Sequence, residues 1–377
     1  MNDVMLRHKL KQYTTELSTQ GLYRQRRVSD ADEPLINFSS NDYLSLASDP
    51  RIKKAYQHGF EHYPTGSGGS MMVCGYHSNH KALEQAFSEV LDVDDCILFT
   101  SGFAANLSVI GLLARFDTHV LIDKMVHASI YDGLQLSGTA YSRYLHNNLA
   151  DVVLKMKNFP KNSVLMTEGI FSMSGQYAPL AEIAELSQDF IQGLVVDEAH
   201  SFGILGREGL GAVVAHQLTQ DDVPLRVIPL GKAYAASGAI VAGQGVWIDA
   251  LLQSARPQIY STALSPAYAY GLLETLENIR RADERRDKLA ELIRYFRDAI
   301  KKSPLTWRDS SSLIQQLQLG CPQRALYFAG KLREQSILCI PMRQPTVSRQ
   351  ETGLRVILNY HHQPEHIDAL FECLHRC

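Results

Sequence analysis

An α/β protein built on a mostly parallel sheet covered by helices is the fold class this sequence predicts, and two observations carry it. Short β-rich runs ending in Gly, Asp or Glu recur through the middle of the chain, and helical stretches separate most of them. No unit of about 20 to 50 residues repeats and no low-complexity run appears, which removes solenoids and propellers. At 377 residues the chain is long enough for one large domain or two or three smaller ones, each with its own core.

Taken in order, residues 1–40 read as an N-terminal arm, a polar helix followed by the basic run Arg24-Gln-Arg-Arg27. A solvated arm and a substrate-contacting arm both remain open for it. Residues 41–264 hold the β-rich runs Cys96–Thr100, Thr118–Asp123, Ser163–Glu168, Gly193–Asp197, Leu225–Ile228 and Gly238–Gly243. A helix from Ala104 to Phe116, with Leu107, Ile110 and Leu113 along one face, fits between the first two. From about Ser265 the texture changes to a long amphipathic helix whose apolar face is Leu289, Leu292, Ile293, Phe296 and Ile300. A smaller C-terminal α/β unit follows, with strands expected at Ser312–Leu319, Ser336–Pro341 and Thr352–Asn359 and a closing helix at Pro364–His375, so that residues 265–377 form a second domain.

Composition narrows the function. The 37 basic and 40 acidic side chains leave a formal charge of -3, which gives no electrostatic case for nucleic acid or an anionic membrane as partner. Apolar stretches such as Leu107–Ala114 end well short of the ~20 residues a bilayer span requires. The sequence from Met1 shows no apolar signal region, and a cytoplasmic protein is expected. Six scattered cysteines form no C-x-x-C pair, so neither a disulfide scaffold nor a structural zinc is expected.

Three stretches carry chemistry. Thr100-Ser-Gly-Phe-Ala-Ala-Asn106 follows a β run and opens a helix, where backbone N–H groups and the positive dipole end can hold a phosphate. It lacks the P-loop pattern, and Gly66-Ser-Gly-Gly69 fails the dinucleotide spacing because position 71 is Met; an ordinary strand-to-helix turn is the bland alternative. In Leu194-Val-Val-Asp-Glu-Ala-His200 an apolar strand ends in Asp197, and His200 follows three residues on. Each alone could be a helix cap or a satisfied loop residue. As a pair at the strand C-termini they suit a heteroaromatic cofactor, the carboxylate holding a ring nitrogen protonated. Lys232, just after a strand among small and apolar residues, is either a surface lysine or an amine desolvated enough for imine formation. Phosphate turn, ring-nitrogen acid and lysine, in that order, are what a pyridoxal-phosphate site requires.

On Asn37-Phe-Ser-Ser-Asn-Asp-Tyr-Leu44, Thr65-Gly-Ser-Gly-Gly-Ser70, Ser101–Asn106, His127-Ala-Ser, Thr167-Glu-Gly-Ile-Phe-Ser-Met173, Val196–His200 and Tyr260-Ser-Thr262, nearly the whole chain resembles the α-oxoamine synthases. The resemblance implies the type I fold of pyridoxal 5′-phosphate (PLP)-dependent transferases. It also implies that Lys232 binds the cofactor covalently, Asp197 pairs with its ring nitrogen and His200 approaches its phenolic oxygen. Ser101 and the backbone of Gly102 and Phe103 would meet the phosphate, Ser172 would line the cofactor, and His127 would stack on its open face and touch substrate. Thr262 would reach the phosphate in a neighbouring subunit, which implies a homodimer with shared active sites. Asn41 and Arg355 would hold the amino-acid carboxylate, and Arg24 and Thr346 would face the acyl substrate.

No metal is implied. Two departures stand out. Pro229 occupies the position, three before the lysine, where the family usually has Thr or Ser, and Met71-Met72 stands where small or basic residues are common. The arm, Gly231-Lys232 and Arg343-Gln-Pro-Thr-Val347 look most like the branch serving biotin biosynthesis. That branch condenses L-alanine with a pimeloyl thioester, carried on CoA or an acyl carrier protein, with loss of carbon dioxide. The same condensation with glycine and a short acyl-CoA, or a PLP lyase or aminotransferase, are the rival readings.

Overall fold

The structure, a computed structural model, describes residues 2–26, 28, 35–160, 162–190 and 192–377. Arg27, part of the basic run, lies outside them. The strands in chain order are β1 (Ile36–Asn37), β2 (Asp95–Phe99), β3 (His119–Asp123), β4 (Tyr141–Tyr144), β5 (Ser163–Glu168), β6 (Gly193–Asp197), β7 (Leu225–Pro229), β8 (Ala239–Gly243), β9 (Ile314–Gln318), β10 (Ile337–Leu338), β11 (Pro341–Met342) and β12 (Gly353–Ile357). The helices that matter below are α1 (Asn2–Thr19), α2 (Pro50–His62), α3 (Ser78–Leu91), α4 (Gly102–Arg115) and α5 (Ala128–Ser137). Among the described residues no helix is long and apolar enough to cross a membrane.

The chain divides into two compact units, one of Asn41–Ser172 and Gln176–Lys288, the other of Met1–Ser40, Met173–Gly175 and Leu289–Cys377. The larger carries a seven-stranded sheet in the order β2-β8-β7-β6-β5-β3-β4. Only β8 is antiparallel to its neighbours, so the others all end at one edge. Strands β5, β6 and β8 are buried along their whole length, as their unbroken Val/Leu/Ile/Ala runs require when helices cover both faces. One core cluster joins Val109, Ile110 and Leu113 of α4 to β2, β3, β7 and β8; another packs Leu121, Leu165, Leu194 and Val196 against Leu180 and Ile183. The edge strand β4, Tyr-Ser-Arg-Tyr, is polar and partly exposed, which is why its composition does not announce a strand.

The domain boundary expected at residue 264 shifts. Helix Pro266–Arg280 packs on α2 within the larger unit, and two glycines make the approach possible. A Cβ on Gly59 would lie 2.4 Å from the Ala267 carbonyl oxygen, and one on Gly271 would lie 2.3 Å from the Tyr56 ring. The arm is likewise not separate: residues 1–40 belong to the smaller unit, where β1 pairs in parallel with β10.

In that unit β11, β12 and β9 form an antiparallel sheet. The strand expected over Ser336–Pro341 is therefore two strands in two sheets, broken after Leu338. Pro341, without an N–H, opens the second. Leu289, Leu292 and Phe296 of helix Asp283–Lys302 are buried as its periodicity predicts. Phe296 meets Trp307 and Phe371 edge-on.

A buried ion pair braces the loop after β6. Glu198 is fully buried, and one of its oxygens accepts from Arg226 Nη2 at 2.8 Å and Nε at 3.1 Å. The other accepts from the Ala212 N–H at 2.7 Å and from the Ser201 hydroxyl. Removing one partner of such a pair strands the other charge in the interior. Arg226→Met should cost about 3–5 kcal/mol of unfolding free energy, read from urea melts, whereas a loss under about 1 kcal/mol would show that the pair contributes little.

Candidate active site

Because the parallel strands end together, short turns after β2, β3, β5, β6 and β7 deliver their side chains to a single edge of the sheet. They line a cavity of about 380 Å³ within the larger unit. Asp197 closes β6, Glu168 closes β5, Lys232 follows β7 by three residues, and Thr100–Ser101 link β2 to α4, which Gly102 and Phe103 begin. His127 begins α5, four residues past β3.

At the phosphate turn Ser101 caps α4, its Oγ accepting from the Ala104 N–H at 3.1 Å, while the Ala105 N–H goes to the Ser101 carbonyl at 3.0 Å. Helix geometry leaves the N–H groups of Gly102 and Phe103 without intrahelical acceptors, at the positive end of the helix dipole and beside the cavity. The Ser101 hydroxyl proton remains available to an anion. Gly102 has no room for a side chain, since a Cβ there would lie 2.6 Å from Pro229 Cγ. Pro229 is thus packed under the turn where a hydroxyl is usual in the family, and β6–β7 pairing ends before it, at Asp197–Val227.

Asp197 is 3% exposed and is held by two donors, the Ala199 N–H on Oδ1 at 2.9 Å and Asn106 Nδ2 on Oδ2 at 2.8 Å. A carboxylate buried in this way, at the end of a central strand, suits a cationic ring nitrogen. His127 caps α5: the Ser129 N–H reaches its Nδ1 at 3.2 Å, and Ser129 Oγ lies 2.8 Å away. Burial lowers its pKa, with Asp197 opposing and Lys232 reinforcing that shift. The bland role of helix-start residue is therefore real and coexists with a cavity-lining one. His200 Nδ1 lies 2.5 Å from the Tyr43 hydroxyl, which also reaches Asn41 Oδ1 at 3.1 Å.

Not every expected residue lines this cavity. Glu168, not Ser172, forms the wall beside Asp197, and Ser172 instead donates its N–H to Glu168 Oε2 at 3.1 Å. Burial first, and the nearby Asp197 second, push the Glu168 carboxyl well above the usual range. Asn41 is not in the wall, and Thr262 is exposed and does not line its own chain's cavity. Asn106, Ser129 and Glu168 are wall residues to which sequence reasoning assigned no role. Asn106 and Glu168 lie inside recognised motifs, and the sign available was a polar residue in an otherwise apolar helix or strand.

The smaller unit has a cavity of its own, about 400 Å³, with Leu22, Ile340, Met342 and Ile357 on its apolar side and Arg24, Arg343 and Arg355 as cations. Arg24 Nη2 donates to Thr346 Oγ1 at 3.2 Å, and Arg343 donates to the Gly21 carbonyl.

The class follows from comparison with known proteins. A family model described as aminotransferase class I and II matches residues 33–374, and the chain belongs to that family. It is 38% identical over 365 residues to the 8-amino-7-oxononanoate synthase of Pseudomonas entomophila (strain L48), covering 94% of each chain. The same identity and coverage hold for the 8-amino-7-oxononanoate synthase of Pseudomonas putida KT2440. Among solved structures, the 8-amino-7-oxononanoate synthase of Francisella tularensis superposes with a TM-score of 0.82 at 31% identity, over 92% of this chain and 98% of that one. A serine palmitoyltransferase from S. paucimobilis, solved with PLP and myriocin bound, gives a TM-score of 0.90 at 24% identity, over 98% and 96%, and establishes the fold alone.

The cavity's chemistry fits PLP: helix N–H groups for the phosphate, a buried carboxylate for the ring nitrogen, and a lysine. Pro229→Thr should tighten PLP binding about three- to tenfold by adding one hydrogen bond, measured by fluorescence titration of the apoprotein. Equal or weaker binding would show that the proline is neutral to the phosphate.

Proposed function

We propose that the chain condenses L-alanine with a pimeloyl thioester, with loss of carbon dioxide and release of the thiol, to give 8-amino-7-oxononanoate. The observation that carries this reading is 38% identity, over 94% of the chain, to synthases of that name. Bound PLP supplies the electron sink that makes the alanine Cα acidic. Asp197 holds the ring nitrogen protonated, His200 meets the phenolic oxygen, and Ser101 with the Gly102 and Phe103 N–H groups holds the phosphate.

The Lys232 amine would tether the cofactor and, once the alanine amine has displaced it, would be free to take the Cα proton. His127 donates from Nε2 to the thioester oxygen as charge develops there. The resemblance assigns the alanine carboxylate, before it leaves as carbon dioxide, to Asn41 and Arg355. Arg24 and Thr346 receive the acyl substrate, for which an apolar cavity with a cationic rim is chemically suited. The carrier is CoA or an acyl carrier protein.

The protein acts as a cytoplasmic homodimer in which Thr262 serves the partner's phosphate. In support, Thr262 is exposed, and Tyr260, Met72, Val73 and Tyr76 on nearby loops are large exposed hydrophobics. Those loops are tied together, since the Ala263 N–H donates to the Gly69 carbonyl at 3.0 Å.

With PLP-loaded protein and pimeloyl-CoA, free thiol should appear with L-alanine. Thiol release with glycine alone would support the glycine-specific condensation, and none with any acyl donor would support a lyase or aminotransferase. Arg24→Ala should raise KM for pimeloyl-CoA about tenfold while leaving KM for alanine within about twofold, as measured by initial rates. An unchanged pimeloyl-CoA KM would remove Arg24 from the acyl site.

A further inference from the structure

Three buried side chains in the wall of the larger unit's cavity, Asp197, Asn106 and Ser129, form one hydrogen-bonded chain that ends on the more exposed His127. Asn106 is 1% exposed, and both its amide protons are committed, one to Asp197 Oδ2 at 2.8 Å and one to Ser129 Oγ at 2.9 Å. Those acceptors decide which way round the amide lies, because a flip would turn Oδ1 against the carboxylate. Ser129 Oγ, already accepting from Asn106, directs its own proton to His127 Nδ1 at 2.8 Å, and the Ser129 N–H reaches the same nitrogen at 3.2 Å. Two donors converging on Nδ1 put the imidazole proton on Nε2.

We propose that Asn106 and Ser129 are positioning residues that hold His127 as an Nε2–H donor and tie that setting to the placement of Asp197. One amide then serves both the acid at the ring nitrogen and the histidine that meets substrate. The inference rests on the cofactor reading above, which makes both ends of the chain functional.

The groups bearing on His127 agree with a neutral ring held from one side. Burial disfavours its charged form, Lys232 does so too, and Asp197 and Asp132 favour it. A neutral imidazole whose Nδ1 is saturated can only donate through Nε2, so it stabilises developing negative charge without first having to be protonated.

The two links predict different losses. Ser129→Ala breaks only the His127 end: kcat should fall about tenfold with KM for alanine within about twofold, and PLP affinity and absorbance should be unchanged. The ¹⁵N resonances of the His127 ring, assigned with His127→Asn, should move from a fixed Nε2–H pattern toward tautomer averaging, and its titration should move to higher pH. Ser129→Thr keeps the hydroxyl and should restore the wild-type ring pattern. Asn106→Leu breaks both ends and should lower PLP affinity as well as kcat.

A Ser129→Ala protein with wild-type kcat and unmoved His127 resonances would overturn the proposal. So would a folded Asn106→Leu protein with wild-type PLP affinity. Should Asn106→Leu fail to fold by circular dichroism, the Ser129 pair decides alone. Failure of the wild-type protein to release thiol would instead overturn the functional reading, because the ring resonances of His127 are read without substrate.

Discussion

A carboxylate at the C-terminal end of a buried parallel strand must be supplied with hydrogen-bond donors by the fold itself, and the larger unit is arranged around meeting that demand at Asp197. One donor is local, the Ala199 N–H in the turn that Asp197 begins. The other, Asn106, comes from the first helix after β2 and reaches Asp197 only because β2 and β6 end at the same edge. The same edge carries Lys232, His127 and the N-terminus of α4. Strand direction is therefore the physical cause of the site: Asp197 and Glu168 end their strands, and Ser101, His127 and Lys232 lie in the turns just beyond theirs.

Much of this was legible in the sequence, for reasons specific to each element. Runs such as Gly193-Leu-Val-Val-Asp197 are buried on both faces and stay apolar throughout, so composition exposes them. The phosphate turn showed as Ser-Gly after a β run. Edge strand β4 did not show, because a strand with one exposed face and Arg143 in it has no apolar run to detect. The split of 336–341 into β10 and β11 was hidden as well, since a change of partner between two sheets leaves the composition of the segment untouched. The domain limits depended on Gly59 and Gly271, whose role appears only when the helices they admit are seen in contact.

Within the cavity wall, Lys232, Asp197, His127 and His200 were among the residues the sequence singled out. The polar residues Asn106, Ser129 and Glu168 were not; Asn106, for one, acts on Ser129 and Asp197, which lie far from it in sequence. Pro229 shows the converse. Its identity was conspicuous as a departure from the family, and its structural consequence is steric: the ring fills the space a side chain at position 102 would need. Glycine at 102 and proline at 229 thus form a matched pair, and what the turn can offer an anion is backbone N–H groups and the Ser101 hydroxyl.

The proposed chemistry requires a covalent bond between the Lys232 amine and PLP. Borohydride reduction of the PLP-reconstituted protein, followed by digestion and peptide mass mapping, tests it most directly. The phosphopyridoxyl group should be found on the peptide containing Lys232; its recovery on another lysine, or on none, would contradict the assignment from which the rest follows.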